Sequence, residues 1–166
     1  MLSFRPALRT DFERITTIYN QAIQHGNITA DLVPETPQQR MVVLEEHLDN
    51  SHYPLLVLVD NSEVIGYGYL STYNIRPGYQ QTAEVSYYLD MAHRGQGLGT
   101  KILRRLLTIA QDQGFDNLVA TTFSVNTASN HLLLKHGFAL WGELPNIARN
   151  QHGDLLSQQL YGLYLK

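Results

Sequence analysis

The 166-residue sequence predicts one mixed α/β domain, and three observations carry that expectation. Apolar residues recur at helical spacing in some segments and in short, nearly continuous runs in others, and the two patterns alternate along the chain. The length suits one ordinary domain that buries a core without covalent staples. No internal repeat, linker or low-complexity tract divides it, so residues 1–166 read as a single unit.

The elements follow in order. A short strand is expected at residues 2–6. Thr10 and Glu13 have capping-box spacing ahead of Phe12, Ile15, Ile18, Tyr19, Ala22 and Ile23, a stripe that predicts a helix ending near His25-Gly26. Residues 26–35 read as a loop. Thr36-Pro37-Gln38-Gln39 opens a second helix with proline at its first position, and Met41, Leu44 and Leu48 supply one apolar face. Leu55 to Asp60 is a run suited to a strand buried on both faces. Turn chemistry at Asp60-Asn61-Ser62-Glu63 joins it to a return strand from Val64 to Tyr73.

Arg76-Pro77-Gly78 breaks the chain before a strand from Thr82 to Leu89. A glycine-rich segment then leads into a helix over residues 97–113, with Ile102, Leu103, Leu106, Leu107 and Ala110 inward and Gly114 as its stop. Leu118 to Phe123 reads as a strand and Asn126 to Lys135 as a short helix ending at His136-Gly137. Two last strands are expected near 138–144 and 155–165.

Composition narrows the function. The chain has 12 Lys and Arg against 15 Asp and Glu, a net charge of −3, which disfavours non-specific nucleic-acid binding. It has no cysteine, which excludes a disulfide framework, a thiolate nucleophile and a cysteine-ligated zinc site. None of its histidines has metal-ligand spacing; His47 follows Glu45-Glu46 but has no partner four residues away. Met1 to Pro6 carries no signal-peptide pattern, and no apolar run approaches the ~18 residues of a membrane span. A cytoplasmic protein without a metal or a membrane anchor is the expectation.

Arg94-Gly95-Gln96-Gly97-Leu98-Gly99-Thr100 lies between a strand and an amphipathic helix. The first turn of a helix presents unpartnered backbone N–H groups and partial positive charge, and glycines before it let a phosphate approach. A P-loop would end Gly-Lys-Ser/Thr, whereas Gly99 is followed by Thr100 and then Lys101. A dinucleotide fingerprint would be G-x-G-x-x-G, whereas the third glycine here comes one residue early. Taken alone, the segment is also compatible with a glycine-rich turn that binds nothing.

Arg94-x-x-Gly97-x-Gly99 matches the R/Q-x-x-G-x-G/A motif and resembles the GNAT superfamily of N-acetyltransferases, as do Asn126-Thr127-Ala128-Ser129 and the later Gly137-Phe138. Ile18 to Ala22, Tyr53 to Val57, Arg76 to Tyr79, and Thr82-Ala83-Glu84 leading into Ser86 to Leu89 extend the likeness through nearly the whole chain. They resemble the phosphinothricin and methionine sulfone branch, whose members acetylate amino acids. The resemblance implies a largely antiparallel central sheet flanked by helices and splayed at an acetyl-CoA cleft. It implies no metal, a small-molecule amine acceptor and a homodimer.

The residue roles it implies are these. Glu84 is the general base that takes the proton of the acceptor amine. Leu89 or a neighbour gives a main-chain N–H to the oxyanion, and the stretch through Tyr88, Leu89 and Met91 holds the pantetheine arm. Arg94, Gly95, Gln96, Gly97, Leu98, Gly99 and Thr100 hold the pyrophosphate, with Asn126 and Ser129 near the thioester. Thr29, Tyr73, Arg76 and Tyr79 line the acceptor side.

The chain also departs from the family pattern. Where many members place a tyrosine, and the phosphinothricin type a histidine, this chain has Leu133, so Tyr87, Tyr88 or water is left to protonate the thiol. Arginines of the acceptor clamp are replaced by Asn74 and Gln80, and an aromatic by Ala30. A protein or peptide acetyltransferase and a non-catalytic acetyl-CoA-binding domain remain as alternatives.

Overall fold

A computed structural model describes residues 1–166. Seven strands form one sheet in the order β1-β2-β3-β4-β5-β7-β6. They are β1 (Leu2–Pro6), β2 (Leu55–Asp60), β3 (Glu63–Thr72), β4 (Thr82–Leu89), β5 (Asn117–Phe123), β6 (Ala139–Arg149) and β7 (Leu155–Tyr164). Every neighbouring pair is antiparallel except β4 and β5, which are parallel. Four helices cover the sheet: α1 (Phe12–His25), α2 (Pro37–Leu44), α3 (Leu98–Asp112) and α4 (Thr127–Lys135).

The two faces bury different cores. On one, α3 packs Leu98, Ile102, Leu103 and Leu106 against Ile65, Leu70, Val85 and Leu118, and α4 adds Leu133. On the other, Phe12, Ile15 and Ile18 of α1 and Leu44 of α2 meet Leu55, Val57 and Tyr67. Leu55 to Val59 are buried throughout, as their unbroken apolar run foretold for a strand covered on both sides. Close approach of α3 depends on Gly68, where a Cβ would lie 2.8 Å from Leu106 Cδ1 and 3.0 Å from the Ser86 carbonyl oxygen.

Three boundaries differ from the sequence reading. The Thr10–Glu13 capping box does not form. Arg9–Asp11 is a 3-10 turn, and Asp11 accepts from the Leu8 amide (2.8 Å) and from both terminal nitrogens of Arg5 (2.7 and 2.9 Å). A carboxylate held by a bidentate guanidinium outweighs a hydroxyl cap. The second helix ends at Leu44 and continues as a 3-10 turn through His47, so Leu48 lies beyond it. Strand β6 runs on to Arg149 across two register shifts, because β7 offers it partners along that length. No helix is long and apolar enough to cross a membrane.

The feature that positions the site is the short contact between β4 and β5. Only Thr82, Ala83 and Glu84 pair with β5, opposite Asn117, Leu118 and Val119. Beyond Glu84, β4 continues along β3 to Leu89 and β5 along β7 to Phe123, so the two strands part.

Leu103, fully buried in the α3 core, tests this packing. Leu103→Ala should cost about 2–5 kcal/mol, read as a lower urea midpoint at unchanged m-value.

Candidate active site

In an antiparallel ladder, consecutive residues alternate between hydrogen-bonding towards one neighbour and towards the other. The Asp90 amide donates to the Ile65 carbonyl at 2.9 Å. Counting back in register, Tyr88 bonds towards β3, whereas Leu89 and Tyr87 turn their main-chain groups to the side from which β5 has departed. This opening is a cavity of about 300 Å³. Tyr88, Leu89, Arg94, Gly95, Gly97, Leu98 and Gly99 line one side, and Asn126 and Ser129 the other. Met91, Gln96 and Thr100 lie outside its lining.

The turn after β4 is anchored from α1. Asp90 is buried, and its carboxylate accepts from Arg14 (2.5 Å), Gln21 (3.0 Å) and the Ala92 amide (3.3 Å), with His93 Nδ1 at 3.2 Å. Gln21 also accepts from the Met91 amide at 3.0 Å. The chain then turns through Gly95 and Gly97, both left-handed, with φ of 76° and 73°. A side chain at either would be strained. Gly97 caps α3, so the free amides of the first helical turn, beginning with Leu98, face the cavity.

Across the cleft, Asn126 caps α4 by accepting from the Ser129 amide at 3.4 Å. Tyr87 and Ser129 join their hydroxyls at 2.8 Å across the opening. Burial pushes the Tyr87 hydroxyl up to about 12 against the opposing pull of Ser129, so it stays protonated at neutral pH. Asn130 secures the start of α4 by accepting from Thr122 (2.7 Å) and donating to the Phe123 and Ser124 carbonyls (3.1 and 3.3 Å). Leu133 is wholly buried in the α3 core, so its position in this chain serves packing.

Glu84 stands where the two strands part, half-buried. Desolvation raises its carboxyl above the ordinary glutamate range, while Thr121 on β5 pulls it back down. Alternation places Glu84, Ser86 and Tyr88 on the face towards α1 and α2, opposite the face that carries Tyr87. Tyr88 therefore lines the cleft while its ring stacks on Tyr67 at 5.2 Å and meets Tyr19 edge-on at 5.2 Å.

Of the acceptor-side residues, Tyr73 and Tyr79 bring their rings to 5.8 Å, with Arg76 exposed on the segment between them. Thr29 is separate from that group and bonds to the Tyr19 hydroxyl at 3.0 Å. Sequence reasoning missed Arg14, Gln21, Asp90, Thr121 and Asn130. Their partners lie on other elements, and only the Asp90-x-Ala92 turn has a local signal, that of a carboxylate capping the amide two residues on.

The Acetyltransferase (GNAT) family model matches residues 13–138. The chain belongs to the GNAT family of acetyltransferases. YwnH of Bacillus subtilis (strain 168), provisionally named a phosphinothricin acetyltransferase, is 40% identical over 89% of this chain and 90% of its own. The L-methionine sulfoximine/L-methionine sulfone acetyltransferase of Salmonella typhimurium is 33% identical over 88% of this chain and 85% of its own. The phosphinothricin acetyltransferase of Sinorhizobium meliloti, solved in complex with acetyl-CoA, superposes with a TM-score of 0.91 at 27% identity. That match covers 98% of this chain and 88% of the other. This acetyltransferase thus has the GNAT fold.

Asp90→Asn removes the charge that Arg14 pairs with and loosens the turn before the glycine loop. The expected result is acetyl-CoA affinity lower by about 10-fold, the effect of weakening one charge-assisted hydrogen bond, read by calorimetric titration.

Proposed function

We propose that the chain transfers the acetyl group of acetyl-CoA directly to the primary amine of an amino acid or amino-acid analogue, with Glu84 as general base. The observation that carries this reading is the position of Glu84, a half-buried carboxyl on the last residue of β4 that pairs with β5, on the same strand as Tyr87, Tyr88 and Leu89 of the cleft lining though outside that lining itself. The amino-acid acceptor is the substrate class named for the Salmonella and Bacillus relatives.

The donor fits the residues present. The helix N-terminus behind Gly95 and Gly97 suits a pyrophosphate, with Arg94 and Thr100 beside it, and Gln96 at the loop's tip. The main chain from Tyr88 through Met91 borders the pantetheine, and Asn126 and Ser129 the thioester end. When bound, acetyl-CoA supplies an activated carbonyl and a thiol leaving group.

The residues of the chain then divide the work. Glu84 removes a proton from the acceptor ammonium, whose pKa of ~8 or above leaves little free base at neutral pH. The Leu89 amide donates to the carbonyl oxygen as negative charge develops there. Tyr87, protonated and hydrogen-bonded to Ser129, gives its proton to the departing sulfur. Thr29, Tyr73, Arg76 and Tyr79 border the acceptor. The C–N bond forms and the C–S bond breaks; the nitrogen releases its second proton to solvent, from which the Tyr87 hydroxyl is re-formed. Glu84 returns the first proton to solvent, and no covalent enzyme intermediate is needed.

A homodimer fits the outer edge of the sheet. Strand β6 is an unpaired edge that exposes Leu140, Leu144 and Ile147, and a second copy of the same strand is its natural cover.

Two variants test the base. Glu84→Gln should lower kcat at saturating acetyl-CoA by about 100-fold or more, with acetyl-CoA binding nearly intact; unchanged turnover would refute the assignment. Thr121→Val removes the group that favours the ionised carboxylate. The rate rises as Glu84 deprotonates, so the lowest limb of the kcat/KM–pH profile should move to higher pH in this variant. A shift in the opposite direction would remove Glu84 as the source of that limb.

A further inference from the structure

The opening between β4 and β5 holds a second, smaller cavity of about 50 Å³. Ser86 and Thr121 line it from the face of the sheet that carries Glu84, and Ala120 and Thr122 from the face covered by α3 and α4. Lined from both faces, it passes between the parted strands. Ile28, Tyr87, Tyr88, Asn126 and Ser129 line both this cavity and the larger cleft, so the two meet at those residues.

Of the residues at that junction, Ile28 alone comes from outside β4 and the start of α4. It sits in the loop after α1, half-buried, and belongs to neither core of the sheet. The loop is pinned on both sides of it. Gly26 caps α1 in the left-handed region (φ 84°) with the His152 ring packed over it, and Gln151 donates to the Gln24 carbonyl at 2.8 Å. Thr29 bonds to the Tyr19 hydroxyl, and the Asn20 side chain exchanges two hydrogen bonds of 2.9 Å with the Glu35 main chain. A fixed apolar side chain that lines two cavities and joins no core leaves apolar surface for a ligand to cover.

The size of the smaller cavity limits what that ligand is. With the pantetheine arm in the larger cleft, the sulfur meets Tyr87 and Ser129 at the junction, and the group beyond the sulfur is the acyl group. A water-sized group takes up ~30 Å³, so about 50 Å³ admits one or two such groups. That suits the methyl of an acetyl group, and it is too small for the propyl chain of a butyryl group or for most amino-acid side chains. The strand walls are fixed, since Val85 and Ala120 lie in the α3 core. Ile28 is the aliphatic wall that no core holds.

We propose that Ile28 sets the length of the acyl group that the enzyme transfers, by closing the smaller cavity over the methyl of acetyl-CoA. The proposal rests on the reading of the chain as an acyl-CoA-dependent transferase, and is independent of the base and of the acceptor. Ile28 touches the acyl group and takes no part in moving protons. Cutting its side chain back to Cβ opens room for further carbons, so a longer acyl chain binds and reacts where the wild-type enzyme excludes it.

The test titrates free CoA, acetyl-CoA and butyryl-CoA by calorimetry, and follows turnover of the two acyl donors with the amine that the wild-type enzyme acetylates best. The proteins are wild type, Ile28→Ala, Ile28→Val and Leu32→Ala; Leu32 is exposed on the same loop and lines neither cavity. Wild type should bind butyryl-CoA more weakly than acetyl-CoA and turn it over poorly. Ile28→Ala should raise the butyryl-to-acetyl ratio of kcat/KM by about 10- to 100-fold. It should also tighten butyryl-CoA binding by about 10-fold, with free CoA within about 2-fold of wild type. Ile28→Val should give a smaller shift in the same direction, and replaces Ile28→Ala if that variant does not fold. Leu32→Ala should leave the ratio unchanged; a shift as large as that of Ile28→Ala would assign the effect to the loop and overturn the proposal. An unchanged acyl ratio in Ile28→Ala with an altered ranking of amines would give Ile28 to the acceptor and refute it. Equal losses for both donors, with a lower Tm, would make Ile28 structural and refute it too. A wild-type enzyme that uses butyryl-CoA as well as acetyl-CoA sinks the proposal and leaves acetyl transfer standing. Failure to transfer from either donor refutes the transferase reading, while the calorimetric ranking of the three ligands still decides the role of Ile28.

Discussion

The separation of β4 from β5 after Glu84 is the constraint on which the rest of the structure depends. Three paired residues keep the two strands in one sheet, and their divergence leaves the main-chain groups of Leu89 and Tyr87 without a neighbour. Unpaired peptide groups inside a protein are costly unless something completes them. The gap is the candidate site, and under the proposed function the pantetheine arm is what completes it. The helices on either face then hold the parted strands in position, α3 and α4 on one side and α1 and α2 on the other.

The period of two along β4 divides the chemistry. Tyr87 faces α3 and α4 and reaches Ser129, whereas Glu84, Ser86 and Tyr88 face α1 and α2. One strand thus presents a hydroxyl to one face of the sheet and a carboxyl to the other, the two groups that the proposed mechanism uses as proton donor and proton acceptor. A register slip of a single residue would exchange the two sets. The register is held by the Asp90 amide on Ile65 and by the Asp90 carboxylate, which ties the end of β4 to Arg14 and Gln21 of α1. α1, which covers the face carrying Glu84, therefore also holds the turn that leads into the glycine loop.

How far the sequence was legible follows from the range of each interaction. The glycine loop is a local device in which positive φ angles at Gly95 and Gly97 and a helix start lie within a few residues, so spacing alone reveals it. The Asn126 cap on Ser129 is local too. The Thr10–Glu13 box was a local signal that lost to Arg5 and Asp11, a pair closed by the turn between them. Arg14 and Asp90 are 76 residues apart, and nothing in either neighbourhood announces the other. Arg40 is harder still. On an amphipathic helix an arginine reads as solvent-facing, and only the aromatic surface of Tyr19 and the carboxylate of Glu35 make its burial tolerable.

Leu133 shows what a departure from the family's pattern does inside a packed core. A polar side chain there would have to emerge from a packed core of Leu103, Leu106 and Phe138 to reach the cleft. Leucine instead fills that core, and the cleft loses a proton donor from α4. Tyr87 stands on the opposite wall, already bonded to Ser129 of the same helix and held protonated by its burial. Under the proposed mechanism a hydroxyl that is a poor acid in water suffices, because the sulfur it serves is a better leaving group than the amine that replaces it and a thiol of pKa ~8.5 needs little help to depart. In that mechanism the proton donor then stands on β4 and not on α4, with the order of bond making and breaking unchanged, because both elements face the same gap.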